Sequence, residues 1–348
     1  LLLSLTWTSS AQPPDSPVRV VMNGFVADNV IAGSVTAVAT KSDVLSLETT
    51  GYANLKTKTT MPPNALFWIA SMTKPMAAVC VLQLHEAGKL SIEDPVEKHL
   101  AEFAGQWMIE SRAKGKLTLK KPARAITIRD LLTHTSGLAN TNSPRPESTL
   151  AELVMSYSKT PLQFEPGSRW SYSNAGINTL GRIVEVVSGT PFAEYLQAHV
   201  LDPCGMKDTT FWPSPAQAKR IASSYRPDSN GKLQPVEVYF LKGGLSNRKR
   251  TPYPAGGLYS TAGDVVAFYQ MMLNGGTYKG KQVLQKKTSA LMTRTQSGDI
   301  KTGFVDGMSW GLGFQVVKTP MEVTASLSAG TYGHGGAYAT QSWADPKT

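Results

Sequence analysis

The chain has 348 residues, 41% hydrophobic and 17% charged, which is an ordinary globular composition and excludes disordered and fibrous classes. This length fits one large domain or two interleaved domains. The net charge is +10, but Lys and Arg form no long run, so we interpret the densest cluster, residues 248–250, as a solvated loop and expect no nucleic-acid partner.

The first residues are typical of the end of a secretory signal. An apolar stretch at residues 1–5 is followed by small residues up to Ala11. We therefore predict that residues 1–11 are a remnant signal peptide and that the protein is exported, either to a periplasm or by secretion. No run is long and apolar enough to span a membrane, so we expect no stable membrane insertion. The missing initiator Met indicates a chain fragment.

The next elements lead to a helix with an unusual start. Residues 16–28 have a helical pattern, and two β-rich runs, 33–40 and 44–51, predict a hairpin. An extended apolar run over residues 65–70 then precedes an apolar helix predicted over residues 75–87. Gly88 is expected to end that helix.

The middle of the chain is predicted to be helical with loops from about residue 95 to residue 245. The predicted helices there cover residues 127–133, 150–157, 175–187 and 192–200. A further helix is expected over residues 262–273, and strands over residues 311–317 and 336–344. Because the chain stops just after the last strand, a hairpin partner is expected to be missing, and we interpret the C-terminus as truncated.

The two cysteines, Cys80 and Cys204, allow one disulfide in an oxidising compartment. We favour two buried free thiols, because Cys80 fits a packed helix face. Neither cysteine has the spacing of a metal site.

The most informative motif is Ser71-Met72-Thr73-Lys74, an S-x-x-K sequence at the start of the apolar helix. Ser71 meets the positive end of the helix, and Lys74, three residues later, lies on the same face. A hydroxyl beside an amine that can take its proton is the minimum for nucleophilic serine catalysis. The motif alone is weak, since the chain also contains it at Ser111, Ser156 and Ser246.

Two more short motifs gain weight from their order behind the first. Tyr172-Ser173-Asn174 precedes a predicted helix, although a capping asparagine beside a packed tyrosine would explain it alone. His334-Gly335-Gly336 precedes a predicted strand, where glycines allow a substrate to approach a strand edge, although a Gly-rich loop would explain it equally.

Together, the three motifs resemble those of the penicillin-recognising serine hydrolases. This group includes class C β-lactamases, DD-peptidases, D-aminopeptidases and the related family VIII esterases. Three further segments share the resemblance: 131–138, 164–167 and 256–260. The resemblance implies an α/β (α+β) fold, with an antiparallel sheet flanked by helices (residues 12–95 and 246–348), a mostly helical domain (residues 96–245) and an active site between them.

The resemblance also implies roles for individual residues. It makes Ser71 the nucleophile and gives proton transfer to Lys74 and Tyr172, leaving open which of the two is the general base. It places an oxyanion hole at the backbone N–H groups of Ser71 and Ala337. It assigns substrate binding to Asn174, His334, Gly335 and Gly336, and it implies no metal and no cofactor.

One departure from the family bears on the substrate. Typical class C β-lactamases have Lys-Thr-Gly as their third motif, where this chain has His334-Gly335-Gly336. A lysine is a fixed cation suited to a substrate carboxylate, whereas a histidine is mostly neutral near pH 7. We therefore favour a carboxylesterase acting on short-chain esters, with a β-lactamase or a D-amino-acid-specific peptidase as the alternative. Oligomeric state and acyl-chain preference are not encoded in these motifs.

Two rival interpretations have their own signatures. Gly307-Met308-Ser309-Trp310-Gly311 matches the G-x-S-x-G nucleophile elbow, but that elbow needs a strand, a sharp turn and then a helix. Here a strand-like run follows Ser309, so we favour coincidence. A binding protein without activity would be expected to lack Ser71, Lys74 or Tyr172, and all three are present.

Overall fold

A computed structural model of the chain describes residues 16–113, 115–140, 145–238 and 244–348. The predicted signal peptide, residues 1–11, lies outside the described residues. The helices are α1 (Pro17–Ala27), α2 (Thr73–Glu86), α3 (Ile128–Leu132), α4 (Leu150–Ser158), α5 (Asn174–Ser188), α6 (Phe192–Leu196), α7 (Pro215–Ala218), α8 (Ala262–Leu273) and α9 (Lys286–Thr293). Among the helices of the described residues, none combines the length and apolarity that crossing a bilayer requires.

The strands form several small antiparallel sheets. They are β1 (Gly33–Ala39), β2 (Val44–Asn54), β3 (Thr59–Thr60), β4 (Phe67–Trp68), β5 (Met108–Ala113), β6 (Lys116–Lys120), β7 (Tyr225–Pro227), β8 (Leu233–Pro235), β9 (Tyr259–Ser260), β10 (Thr277–Tyr278), β11 (Lys281–Gln282), β12 (Met308–Trp310), β13 (Gln315–Val317), β14 (Tyr332–Gly335) and β15 (Gln341–Ala344). Two sheets have the orders β1-β2-β3 and β12-β13-β14-β15, and the other strands pair as β4-β9, β5-β6, β7-β8 and β10-β11. The predicted α/β class with antiparallel strands is confirmed.

The centre of the fold is helix α2, which is buried along nearly its whole length. All residues from Thr73 to Leu82 are buried, so the helix has no solvent face in its first two and a half turns. It packs against α5, whose Ile177, Leu180 and Ile183 are completely buried. Truncating one such side chain to Ala typically costs about 2–5 kcal/mol of stability. A rigid, buried α2 therefore fixes the position of the serine at its start.

Local signals explain where the main helices begin and end. The side chain of Ser173 caps α5 by accepting a hydrogen bond of 3.0 Å from the N–H of Gly176. At the other end, Gly189 has a φ of 73°, the left-handed conformation that favours glycine after a helix. The helices predicted over 127–133, 150–157, 175–187 and 262–273 match α3, α4, α5 and α8 to within one or two residues.

Residues 95–245, predicted to be helical with loops, also contain two β-hairpins, β5-β6 and β7-β8, that were not predicted. Every residue of β6 is exposed, and β5 is exposed after its first two residues. The five residues of β6 alternate polar and apolar, but the apolar side chains Leu117 and Leu119 are exposed, and β5 shows no such alternation. The hairpin therefore carries only a short strand signal in its sequence.

The two strands predicted near the C-terminal end have different bounds in the structure. Residues 311–317 were predicted as one strand, but a turn with Gly313 at a φ of 87° separates β12 from β13. A Cβ on Gly313 would lie 2.7 Å from the Cβ of Ala78, so this glycine allows the turn to contact α2. Residues 336–344 were also predicted as one strand, yet β14 already ends at Gly335 and a helical turn, Ala337–Ala339, precedes β15.

A wide groove separates the two larger sheets. Its walls include β1 on one side, β15 on the other and α8 between them, and its volume is about 1540 Å³. Strands β1 and β15 are each the outer strand of their sheet. Cys80 and Cys204 are both buried free thiols, as predicted.

Candidate active site

Ser71 lies in a tight helical turn, Ala70–Met72, that leads directly into α2. The preceding residue, Ala70, has a φ of 45°, in the left-handed region that residues with a Cβ rarely adopt. Surrounding bonds hold this strained position: the hydroxyl of Thr73 donates to the carbonyl of Ala70 at 2.6 Å, and the N–H of Ile69 donates to the carbonyl of Leu258 at 3.0 Å.

Lys74 contacts Ser71 as its spacing predicts. Its Nζ donates a hydrogen bond of 2.9 Å to Oγ of Ser71 and another of 2.6 Å to the carbonyl of Ala255. The lysine is fully buried, and this burial lowers its pKa well below the ordinary value. No carboxylate of the described residues forms an ion pair with Lys74. The lowered pKa makes this amine easier to deprotonate than an ordinary lysine, and the deprotonated amine can accept the proton of Ser71.

The segment around residues 255–260 braces the turn that carries Ser71. Strand β9 pairs with β4 just before Ser71, in the register Phe67 with Ser260 and Trp68 with Tyr259. The indole N–H of Trp68 also donates to the carbonyl of Gly256 at 2.6 Å. Residues 256–260, one of the segments that share the family resemblance, thus fix the part of the chain that carries Ser71. They also directly follow Ala255, whose carbonyl orients Lys74.

Tyr172 completes the group around the serine. Its ring centroid lies 4.7 Å from Nζ of Lys74, and its hydroxyl interacts with the side chain of Ser71. Burial raises the pKa of Tyr172 above its ordinary value, and the interaction with Ser71 opposes that shift. The phenol is therefore protonated at neutral pH and can donate a proton.

Two residues outside the predicted site hold the loop that carries Tyr172. The N–H of Ser173 donates to Nδ1 of His134 at 3.1 Å, and the N–H of Ser171 donates to the His134 carbonyl at 2.9 Å. Asn140 donates to the carbonyl of Tyr172 at 2.9 Å. His134 therefore ties this loop through both its ring and its carbonyl. Asn140 was missed, because nothing in its local sequence distinguishes it from an ordinary loop asparagine.

Asn174 lies at the first position of α5, where its N–H donates to Oδ1 of Asn140 at 2.7 Å. Its side chain is exposed, and the described residues show no hydrogen bond from it to Ser71 or Lys74. It is therefore available to a substrate.

His334 lies on β14 and is buried. Its Nδ1 is 2.6 Å from the carbonyl of Gly335, which can only accept, so Nδ1 carries the proton and Nε2 is bare. Nε2 is buried without a hydrogen-bond partner in the described structure. Burial, followed by the charge of Lys74, lowers the pKa of His334 to about 3. The imidazole is thus a neutral acceptor, next to the ring of Tyr172 at a centroid distance of 6.2 Å.

The glycines after His334 allow the chain to lie against the nucleophile turn. A Cβ on Gly336 would lie 2.4 Å from the carbonyl oxygen of Ile69, so only glycine fits this close approach. Ala337 follows in the turn Ala337–Ala339. In the same turn Tyr338 has a φ of 62°, and its ring packs against Trp68 at 5.7 Å. The two predicted oxyanion-hole residues, Ser71 and Ala337, therefore lie on neighbouring segments.

An aromatic cluster surrounds Tyr172. Its rings have centroid separations of 4.6 to 6.3 Å, within the range of favourable aromatic pairs. The members are His134, Trp170, Tyr172, Phe304 and Trp310.

Ser309 does not form a nucleophile elbow. It lies within β12, is buried, and its Oγ is 2.8 Å from Oγ of Ser297. A turn and strand β13 follow it instead of a helix. The alternative S-x-x-K serines Ser156 and Ser246 donate to backbone carbonyls, and the lysine paired with Ser111 lies outside the described residues.

Comparisons with known proteins agree with this geometry. The family model described as Beta-lactamase matches residues 18–348. The chain is 33% identical to Protein Rv1367c of Mycobacterium tuberculosis, over 91% of this chain and 83% of that protein. It is 30% identical to Esterase EstB of Burkholderia gladioli, over 93% and 85% respectively. The solved structure of EstCE1, "a hydrolase with promiscuous acyltransferase activity", superposes with a TM-score of 0.77 at 25% identity, covering 94% of this chain and 89% of that one.

Proposed function

This chain belongs to the beta-lactamase family, whose members are serine hydrolases, and from that premise we propose that it is a carboxylesterase acting on short-chain esters through an acyl-enzyme on Ser71. The observation that carries the choice of ester is the buried, uncharged His334, with its pKa lowered to about 3. The names of EstB and EstCE1 support the same choice.

In the first step, Oγ of Ser71 attacks the ester carbonyl while Lys74 takes the serine proton across the 2.9 Å contact. We assign the base to Lys74 because burial shifts the two candidate groups in opposite directions. The pKa of the amine is lowered and that of the Tyr172 phenol is raised, so the amine loses its proton more readily than the phenol does.

In the second step, the tetrahedral intermediate collapses and the alcohol leaves. Before this collapse, the backbone N–H groups of Ser71 and Ala337 stabilise the oxyanion of the tetrahedral intermediate. Loss of one such donor raises the activation free energy by roughly 3 kcal/mol in comparable sites. Tyr172 donates its proton to the departing oxygen and regains one from the Lys74 ammonium. Water then attacks the acyl-enzyme by the same route in reverse, which releases the acid and restores Ser71.

The preference for esters over β-lactams follows from charge. A β-lactam of the penicillin or cephalosporin type carries a carboxylate, which the family's third-motif lysine would pair with. Here the corresponding His334 is a neutral ring with a bare Nε2, which cannot donate a hydrogen bond to a carboxylate. A simple ester has no carboxylate, so the absence of a cation at this position costs it no binding interaction.

The test is hydrolysis of p-nitrophenyl butyrate by the wild type and Ser71→Ala, each shown to be folded by circular dichroism. We expect turnover by the wild type and a loss of about 10³-fold or more in Ser71→Ala. Ser309→Ala is the matched control and should retain activity. A fluorophosphonate probe should label the wild type and fail to label Ser71→Ala.

Two other substrates separate the alternatives. The cephalosporin nitrocefin and a peptide ending in D-Ala-D-Ala are assayed with the same proteins. Faster turnover of either than of the ester, again dependent on Ser71, would replace the esterase assignment with a β-lactamase or a D-peptidase. Activity that survives in Ser71→Ala and disappears in Ser309→Ala would overturn the site itself.

A further inference from the structure

Phe304 presents a large apolar ring to solvent beside the catalytic tyrosine. It follows α9 and precedes β12 in the chain, and it is 53% exposed. Its ring nevertheless makes edge contacts, with centroid distances of 5.3 Å to Tyr172 and 5.5 Å to Trp170. One part of the ring is thus held by the aromatic cluster, and the other part faces open space.

The segment that carries Phe304 is anchored on the cluster. A Cβ on the preceding Gly303 would lie 2.9 Å from the Trp170 ring, so the backbone lies directly against that indole. The hydroxyl of Thr302, which is buried, donates to the carbonyl of Met308 at 2.8 Å. These contacts set the ring of Phe304 beside Tyr172 as part of the fold.

The chemistry of Tyr172 indicates which part of a substrate passes Phe304. The tyrosine ring lies 4.7 Å from Nζ of Lys74, its hydroxyl interacts with the side chain of Ser71, and in the proposed mechanism that hydroxyl protonates the departing alcohol. The leaving group must therefore lie on the tyrosine side of the scissile bond. The exposed ring that borders this side is Phe304, with Trp170 behind it.

Resting on the proposed esterase function, we propose that Phe304, Trp170 and Tyr172 form a leaving-group subsite for aromatic alcohols. Aromatic rings prefer edge-to-face or offset contacts at centroid distances of about 4.5–7 Å, and the free part of Phe304 offers such a contact to a third ring. The titratable rings in this region, His134 and His334, are both held neutral by burial, which lowers their pKa values. The subsite is therefore suited to an uncharged aryl or benzyl group.

The experiment compares benzyl butyrate with cyclohexylmethyl butyrate, which share an acyl group and have alcohols of similar acidity and size. We expect the wild type to have the higher kcat/KM for the benzyl ester. Phe304→Leu keeps an apolar side chain without the ring and should reduce the ratio of the two kcat/KM values roughly two- to tenfold. Phe304→Tyr keeps the ring and should preserve the ratio.

Two controls make the outcome specific. Phe25→Leu removes a similarly exposed ring, 44% exposed on α1, and should leave the ratio unchanged. The second control compares ethyl phenylacetate with ethyl cyclohexylacetate, in which the ring is on the acyl side of the ester. Phe304→Leu should not change the ratio of kcat/KM values for this pair.

A wild-type ratio near one, the same ratio in Phe304→Leu, or an effect confined to the acyl pair would each overturn the subsite. In all three cases, turnover of ethyl butyrate would leave the esterase function standing. A folded wild type that hydrolyses none of these esters, ethyl butyrate included, would overturn both proposals together.

Discussion

The side-chain oxygen of Asn178 accepts a hydrogen bond of 3.0 Å from the backbone N–H of Ala255. The carbonyl of the same Ala255 accepts the 2.6 Å hydrogen bond from Nζ of Lys74. Asn178 itself is buried on α5 and donates to the hydroxyl of Tyr157 at 3.1 Å. A chain of hydrogen bonds therefore runs from the core of the helical region to the amine beside Ser71.

Asn178→Ala should lower kcat more than it raises KM. Without its partner, Ala255 is no longer fixed and Lys74 loses its alignment with Ser71, for which we expect a fall in kcat of about 10- to 100-fold. The unpaired buried groups should also cost about 1–3 kcal/mol of stability. Steady-state kinetics and urea unfolding measure the two effects. Tyr157→Phe removes the other partner of Asn178, and it should reduce stability with little effect on kcat; equal kcat losses in both variants would contradict a positioning role.

His134→Ala should weaken both the fold and the activity, whereas His134→Asn should retain much of each. His134 has a φ of 60°, which Asn tolerates better than most residues, and Asn can offer an acceptor to the N–H of Ser173. The alanine variant leaves that N–H unpaired in the interior, for a loss of about 1–3 kcal/mol. Chemical denaturation and ester kinetics test this order, and an asparagine variant as weak as the alanine variant would refute it.

The pH profile should identify the base. A general base works only when deprotonated, so kcat/KM should rise with pH and level off well below 10.5, the ordinary pKa of a lysine, because burial lowers the pKa of Lys74. If the Tyr172 phenolate were the base instead, the rise would be centred above pH 10, since burial raises the pKa of Tyr172.

Substitutions at the same two residues complete this assay. Lys74→Arg should be inactive at every pH, because a guanidinium does not lose its proton. Tyr172→Phe should lower kcat/KM by about 10²–10⁴-fold, and the rise of kcat/KM should stay at the same pH as in the wild type. The rates are measured after subtraction of hydrolysis by hydroxide alone.

Acid should destabilise the protein in a window set by its buried histidines. Above pH 6.5 His334 is neutral both folded and unfolded, so its contribution to stability is fully present. Between pH 6.5 and about 3 the unfolded chain binds a proton that the folded protein excludes, so the free energy of unfolding falls as pH falls. The slope for one such group is about 1.4 kcal/mol per pH unit. In His334→Gln, the free energy of unfolding should depend less on pH than in the wild type. Urea unfolding of both proteins at about pH 7, 5.5 and 4, roughly equal steps across the window, measures this. If the two proteins lose stability in parallel as the pH falls, His334 is not the cause.

His334→Lys should shift the substrate preference towards β-lactams. A cation at this position can pair with the carboxylate of nitrocefin, and a charge-assisted hydrogen bond of this kind corresponds to a gain of roughly tenfold or more in kcat/KM for nitrocefin relative to the ester. His334→Gln is the uncharged control. A similar gain in the glutamine variant would show that charge is not the cause.

The elements that the sequence predicted well have strong local signals. Helices α3, α5 and α8 begin at Ser or Thr caps, and α5 ends at a left-handed glycine. Likewise, the 2.9 Å contact of Ser71 with Lys74 follows from a three-residue spacing on one helical turn. In these cases nearest neighbours in the sequence decide the structure.

The features that were missed depend on distant partners or on exposure. The hairpin β5-β6 has no buried face and only a five-residue alternation in β6, and the turn at Gly313 lies against Ala78 on α2. The connection from Asn178 through Ala255 to Lys74 joins three segments that are far apart in the chain, so no local pattern reveals it.

The pairing of β4 with β9 has a consequence for how this protein loses activity. Ser71 and its base are aligned only while residues 67–74 remain joined to residues 255–260, almost two hundred positions later. In the proposed mechanism, separating the two segments should abolish proton transfer before any side chain of the site is altered. We therefore expect ester turnover to report whether the first and last thirds of the chain are docked, and inactivation on heating to coincide with their separation.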